Sequence, residues 1–218
     1  MTTKLEEAQT FLKTNRIEAL HDGVFAIVMT LLVLELKVPE MHGEWARAEL
    51  MAALQKLAPA FFSYLLSFVM LGVYWVGQHA QFNFIRYVDR TALWINILFL
   101  MSVSLLPFTA AFIGHYLHDE LAIALYGLNL IIIGLIAFVH WTYATVHHRL
   151  VDHSIPDAFV SGVKRRIAVA PLLCILAIVV SPLSTTLSLV IYALIPLYYI
   201  IPGSVDAIWR RPAVPHGH

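Results

Sequence analysis

The chain has 218 residues, of which 60% are hydrophobic and only 13% charged, with a mean hydropathy of +0.76. A soluble domain carries about 25% charged residues, so the composition excludes a water-soluble globule and points to a polytopic membrane protein. Formal net charge is zero, which gives nucleic acid no bulk attraction, and the one cysteine, Cys174, can build neither an internal disulfide nor a zinc or iron–sulfur centre alone.

The opening "MTTKLEEAQTFLKTN" is polar and mildly amphipathic, without the apolar centre and cleavage site of a signal peptide. The first span is predicted over about Leu20 to Val38, inside "RIEALHDGVFAIVMTLLVLELKV". Arg16, Glu18, His21 and Asp22 crowd its entrance, and Glu35 and Lys37 close it. The second span runs from Pro59 to about Gln81, the third from Ala92 to Gly114 and the fourth from Leu121 to Trp141. The fifth, Ile167 to Val180, and the sixth, Leu187 to Ile201, are short for a hydrocarbon core of roughly 30 Å. They are expected to borrow flanking residues such as Arg166 and Ser184, or to tilt, with a re-entrant hairpin as the alternative. Between the first two spans, Trp45, Leu50, Met51 and Leu54 recur at helical spacing and predict a short interfacial helix. The expected fold is therefore all-α, six transmembrane helices in one domain over residues 1–204, with residues 205–218 a Pro-rich, disordered cytoplasmic tail.

Loop charge orients the chain. The N-terminus, residues 82–91, residues 142–166 and the tail hold Lys4, Lys13, Arg16, Arg86, Arg90, Arg149, Lys164, Arg165, Arg166, Arg210 and Arg211. The opposite connections hold only Lys37, Arg47 and Lys56. The positive-inside rule then predicts that both termini are cytoplasmic.

Ionisable groups in a span need a partner or a wet cavity. Asp22 sits one turn inside the apolar boundary, where a carboxylate complements the helix dipole or pairs with a cation. Arg16 is six residues away, about 240° round an ideal helix, so a third group is expected to bridge the two. In "YWVGQHAQF", Trp75 and His79 share a face at i, i+4 and lie at the depth of Asp22. They supply that bridge, or they are an interfacial tryptophan and a wet loop-end histidine. The pair His147-His148 does not make the histidine set of a membrane di-iron enzyme. No catalytic triad, P-loop or GxGxxG is present, so neither an enzyme nor a metal site nor a cofactor is expected. Asn96 and Asn129 are expected to act as helix–helix glue. No row of regularly spaced arginines suggests a voltage sensor.

Beyond its polar entrance the first helix carries Ile27, Thr30, Leu31 and Leu34 at i, i+3, i+4 and i+7, a single stripe. Periodicity alone leaves a packed bundle helix and a pore-lining helix both open.

Three segments narrow the choice. "RIEALHDGVFAIVMTLLVLEL" resembles the signature helix RxxxFSDxxxA of the transmembrane-protein-175 family of potassium channels, with Arg16, Asp22 and Ala26 matching and Leu20 and His21 standing where the family has Phe and Ser. Trp75, His79 and Phe82 match in "YWVGQHAQFNFIRYVD", and Trp94, Asn96, Pro107 and Phe108 in "WINILFLMSVSLLPF". The resemblance covers about half the chain. It implies a six-helix subunit in a homotetramer within a prokaryotic plasma membrane, and potassium-selective leak conduction without a TVGYG filter, which this sequence lacks. It further implies a pore lined by the first helix of each subunit. Ile27 would form the constriction, with Thr30, Leu31 and Leu34 continuing the wall. Arg16, Asp22, Trp75 and His79 would hold the helix from behind, and His21 adds a titratable group to that network. Permeant potassium would be the only ligand. The rival readings are a small proton-coupled transporter relaying through Asp22 and His79, and a membrane scaffold whose polar layer only fixes packing.

Overall fold

The computed structural model describes residues 14–40 and 46–201. The expected tail at 205–218, the basic residues Lys4, Lys13, Arg210 and Arg211, and Trp45 lie outside the described residues. Within them the chain is all-helical, apart from one antiparallel bridge between Ile85 and Val151.

Helix α1 is Asn15–Leu31, prolonged by a 3-10 turn over Leu32–Glu35. It buries Ile17, His21, Phe25 and Val28, a stripe at i, i+4, i+8 and i+11 that Leu32 continues and that seats the helix on its neighbours. The interfacial helix expected in the first loop is α2, Arg47–Lys56, with no buried residue. Its start is closed by Glu49, whose Oε2 accepts from the Ala46 N–H at 3.3 Å.

Helix α3 is Ala58–Phe82, with Pro59 in its first turn, where a missing N–H costs nothing. Asp89 caps α4, Arg90–Ser104, by accepting from the Ala92 N–H at 2.9 Å. A break at Leu105 separates α4 from α5, Leu106–His115, because Pro107 in the first turn of α5 cannot donate back into the preceding turn. The third rod is thus kinked where the sequence suggested a continuous span.

Helix α6 is Glu120–Thr145, capped by Asp119 on the Leu121 N–H at 2.8 Å. His147 and His148 follow with φ of 51° and 53°, turning the chain back at its end. Helix α7, Asp157–Val180, is longer than the predicted fifth span and takes in Lys164, Arg165 and Arg166. Helix α8, Thr185–Ile200, is capped by Ser184. α7 and α8 pack along each other, and the Ser188 Oγ of α8 donates to the Ala177 carbonyl of α7 at 2.7 Å. They form one antiparallel helix pair.

Among the described residues, four rods are both long and apolar enough to cross a bilayer: Asn15–Glu35, Ala58–Phe82, Arg90–His115 and Glu120–His148. α7 misses because its cations fall inside the helix, and α8 because it has 16 residues.

The core is centred on α6. Gly127 admits the hydroxyl of Tyr192, and a Cβ at Gly134 would stand 2.6 Å from Pro171 Cγ, so only glycine lets α7 and α8 approach this closely. Asn129 joins three helices, donating to the Ser102 carbonyl at 2.9 Å and accepting from Thr109 Oγ1 at 3.2 Å, which is the glue role expected of it.

A second, smaller core lies at the end of the bundle where residues 83–89 meet residues 149–152. Ile85, Val88, Leu150 and Val151 are buried there. Arg86 pairs with Asp152 at 2.6 Å and Arg149 with Asp89 at 3.2 Å. Two of the cations that orient the chain therefore also tie its loops together.

Candidate functional site

The candidate site is α1 together with the end of α3 that braces it. The two sides of α1 are set by chemistry four residues apart. On one side Phe25 and Val28 enter the core, Val28 at 3% exposure. On the other, Ile27 is 60% exposed, Leu31 43% and Leu34 66%, with Thr30 exposed between them. The stripe read from the sequence is thus one continuous face that the subunit leaves uncovered. Thr30 Oγ1 donates to the Ile27 carbonyl at 2.8 Å. Its proton is committed to the helix, and its oxygen lone pairs face outward as acceptors.

Asp22 and Trp75 meet directly. The Trp75 indole N–H donates to Asp22 Oδ1 at 2.8 Å, and His79 stacks on the indole with ring centroids 5.6 Å apart and an interplanar angle of 18°. The partner of Asp22 is therefore Trp75, 53 residues away in sequence and brought alongside by the packing of α1 on α3, and it does not bridge Asp22 to Arg16. A charge-assisted bond of this kind contributes about 1.5–3 kcal/mol when shielded from water. Trp75 also stands between Asp22 and His79, so these two touch a common indole and not each other. Arg16 is exposed, and among the described residues it forms no ion pair with Asp22.

His21 points the other way. It is 3% exposed and stacks between Phe25 and Phe99, at centroid distances of 5.5 and 5.3 Å, with the edge of Phe82 at 5.4 Å. Neither ring nitrogen has a hydrogen-bond partner within the protein. Its imidazole is used as a flat aromatic wedge between α1, α3 and α4. Sequence reasoning grouped His21 with Asp22 by adjacency. The signal that separates them is the 100° step between neighbours on a helix, which puts His21 in line with Phe25 and Asp22 on the side of Ala26.

Of the predicted set, the fold brings together Asp22, Trp75 and His79, and separately aligns Ile27, Thr30, Leu31 and Leu34. It does not bring Arg16 or His21 to the Trp75 brace. No group of three or more His, Cys, Asp or Glu that could hold a metal ion occurs among the described residues. Missed by the sequence was the loop network outside the spans. There Asp89 accepts from Tyr143 OH at 2.7 Å and from Arg149 Nε at 3.2 Å. Burial pushes the Asp89 carboxyl upward, but the Ala92 N–H, the Tyr143 phenol and the Arg149 guanidinium outweigh it and hold it below the usual carboxylate range.

Comparison with known proteins bears on the same residues. The pattern of the family described as TMEM175, endosomal/lysosomal potassium channel TMEM175, matches residues 16–107, from Arg16 through the kink proline. The chain is similar to a Streptomyces collinus protein named as a potassium channel, with 32% identity over 191 residues that cover 86% of this chain and 91% of that protein. It is similar to the mouse protein named endosomal/lysosomal proton channel TMEM175, with 36% identity over 146 residues covering 62% of this chain and 29% of the mouse protein. The crystal structure of a lysosomal potassium-selective channel TMEM175 homologue from Chamaesiphon minutus superposes with a TM-score of 0.76 at 31% identity, covering 86% of this chain and 96% of that one.

Proposed function

Because this chain belongs to the TMEM175 family, we propose that it is a potassium channel whose pore is lined by α1. The observation that carries the reading is the uncovered face of α1, with Ile27 60% and Leu34 66% exposed on a helix whose opposite side is fixed by the core. Within the subunit nothing covers the Ile27, Leu31 and Leu34 side chains of this face. A closed ring of identical copies covers it, and cyclic symmetry is the ordinary way to do so. We take the assembly to be a homotetramer in a prokaryotic plasma membrane, with six helices per subunit crossing the bilayer and both termini cytoplasmic, as the basic loops favour. α7 and α8 then span with the help of Lys164, Arg165 and Arg166, whose long side chains reach the interface.

In that ring Ile27 is the narrowest point. Four isoleucine side chains offer no ligand, so the constriction acts by excluding or admitting water. One turn further, the Thr30 oxygen accepts a partly dehydrated cation, its own proton being held by the Ile27 carbonyl. Leu31 and Leu34 continue the wall. Trp75, bonded to Asp22 and stacked on His79, braces each helix from behind and fixes its rotation. No cofactor enters this mechanism; the permeant ion is the ligand.

Potassium flux from proteoliposomes tests the reading, with sodium and a proton gradient as parallel arms. Flux carried by potassium in preference to sodium, without need of a proton gradient, is expected. Flux that saturates and requires a proton gradient would instead favour coupled transport, and no flux would leave a scaffold.

A further inference from the structure

Among the described residues of α1, His21 alone has polar atoms that are buried without a partner. A neutral imidazole carries one N–H donor and one acceptor nitrogen. Held between Phe25 and Phe99, with Phe82 at its edge, His21 forgoes both hydrogen bonds. A phenyl ring fills such a slot without that loss, so packing alone gives no reason for a histidine here. What the histidine adds is a proton site on the buried side of the helix whose other side carries Ile27, Thr30, Leu31 and Leu34.

The charges around the slot leave that site without a counter-ion. Asp22, the next residue on α1, and His140 of α6 are the ionisable groups near enough to act on the ring. The Asp22 carboxylate is turned to the Trp75 indole of α3. His140 is itself buried, touches the same Phe82 at 5.7 Å between centroids, and has only a long contact, 3.5 Å, to Gln81 Oε1. Elsewhere on α1, Glu18 is half-buried three residues before His21, and Arg16 is exposed. The buried polar residues of α3 beside Phe82 are the uncharged Gln78 and Gln81, and His79 is stacked on Trp75. On α4 the only ionisable side chain is Arg90, its first residue, and on α5 it is His115, its last.

We propose that His21 is an acid-sensitive latch on α1: neutral, it seats the helix in the aromatic slot, and on taking a proton it leaves the slot for water. In the slot the charge would have no hydrogen-bond acceptor, and the ring faces that attract a cation recover only part of the hydration it gives up. Protonation therefore favours whatever arrangement wets the ring. Wetting it is a local event, because His21 lies six residues from the start of α1 at Asn15, about 9 Å along the helix. The two faces of α1 turn together, so withdrawing His21 also turns Ile27 and Thr30 away from their places. His21 is in this sense a positioning residue. That the proton comes from the cytoplasmic side, and that the turn lowers potassium flux, rests on the functional reading above; the latch itself does not.

Amide hydrogen exchange of the full chain in mild detergent, corrected for the intrinsic pH dependence of exchange, tests the latch. Between about pH 7.5 and about pH 5 the opening constant of α1 amides should rise about 30-fold, the charged-to-neutral ratio of a hydrated imidazole at the lower pH. Amides of α6 around Leu130 should not follow. His21→Phe keeps the ring and removes the proton site, so its α1 opening should be independent of pH over this range. Should His21→Phe fail to fold, His21→Leu carries the same expectation. Opening of α1 that ignores pH in the wild type would overturn the proposal. So would an equal rise in the His21 variants, and loss of that rise in His140→Leu would then place the proton site at His140. In proteoliposomes, acid on the cytoplasmic side should lower potassium flux through the wild type and leave the pH profile of His21→Phe flat. Flux that ignores acid while α1 opens would overturn the link from latch to pore. Absence of any flux beside the expected exchange pattern would sink the channel reading and leave the latch standing.

Discussion

α1 and α6 have similar composition and opposite surroundings. Both are apolar, yet the apolar stretch of α1 is buried much less within the subunit than that of α6. α6 is gripped on several sides: Tyr126 and Trp141 are fully buried, and Gly127 and Gly134 accept α8 and α7 at close range. α1 is gripped along one narrow stripe and one hydrogen bond. The difference teaches that hydropathy marks membrane residence without marking role. α6 is the post on which the subunit folds, and α1 leaves its Ile27 face uncovered, as the proposed ring of copies requires.

The comparison breaks most readily at α6. Trp141→Ala should cost about 3–5 kcal/mol and also remove the hydrogen bond that the indole donates to the Val160 carbonyl at 3.3 Å. Fluorescence-detected size exclusion after heating should show the folded peak lost at much lower temperature. A variant as stable as the parent would mean that α6 is not the structural post.

Next comes a contrast within α1. Val28→Ala removes buried methyl groups and should destabilise by about 1–2 kcal/mol. Ile27→Ala removes methyl groups from the uncovered face and should leave subunit stability within about 0.5 kcal/mol, while raising cation flux and weakening the preference for potassium over sodium. Ile27→Asn should likewise wet the constriction and raise flux. Paired flux and thermal-shift measurements check this. If both alanine variants lower yield and neither alters selectivity, Ile27 is a packing residue.

The brace gives a smaller effect, on the order of 1 kcal/mol for one exposed-side hydrogen bond. Asp22→Ala should loosen α1 and lower potassium flux or oligomer yield. Asp22→Asn should do so less, because its amide oxygen can still accept from the Trp75 indole. Trp75→Phe should mimic Asp22→Ala, and the double variant should add little beyond either single one. Full additivity in that cycle would show that the bond does not couple the two helices.

The smallest effect is at the loop end, outside the spans. The Asp89 carboxyl is held below its ordinary range, so its contribution is present above the unfolded carboxylate pKa and is lost as pH falls through the lower folded value. Wild type should therefore lose thermal stability on acidification below about pH 4, and Asp89→Asn should show a shallower loss. Parallel acid profiles for the two would remove Asp89 from the account.

Much of this was legible in the chain. The membrane class, the four apolar rods and the interfacial helix over Arg47–Lys56 follow from local hydropathy. The starts of α4, α6 and α8 are set just as locally, by hydrogen bonds of Asp89, Asp119 and Ser184 within three residues of themselves, though hydropathy does not display them. These are sums over neighbouring residues, and neighbours are what a sequence displays. The common depth of Asp22 and His79 was legible too, because helix rise fixes depth once direction is known.

What only the tertiary structure decided is rotation and partnership. Periodicity gives the angle between Ile27 and Val28, but not which of them turns inward. That is settled by Phe99 and Phe82, which offer His21 and Phe25 an aromatic slot and so turn the opposite face of α1 outward. The partner of Asp22 is likewise a matter of distance in space: Trp75 reaches it across 53 residues, while Arg16, close in sequence, does not pair with it. The cavity beside Gly72 and Gly77, walled by α3, α6, α7 and α8, is likewise a product of packing between helices distant in sequence. Local chemistry fixes what each helix is made of; only the packing of distant helices fixes where each side of it faces.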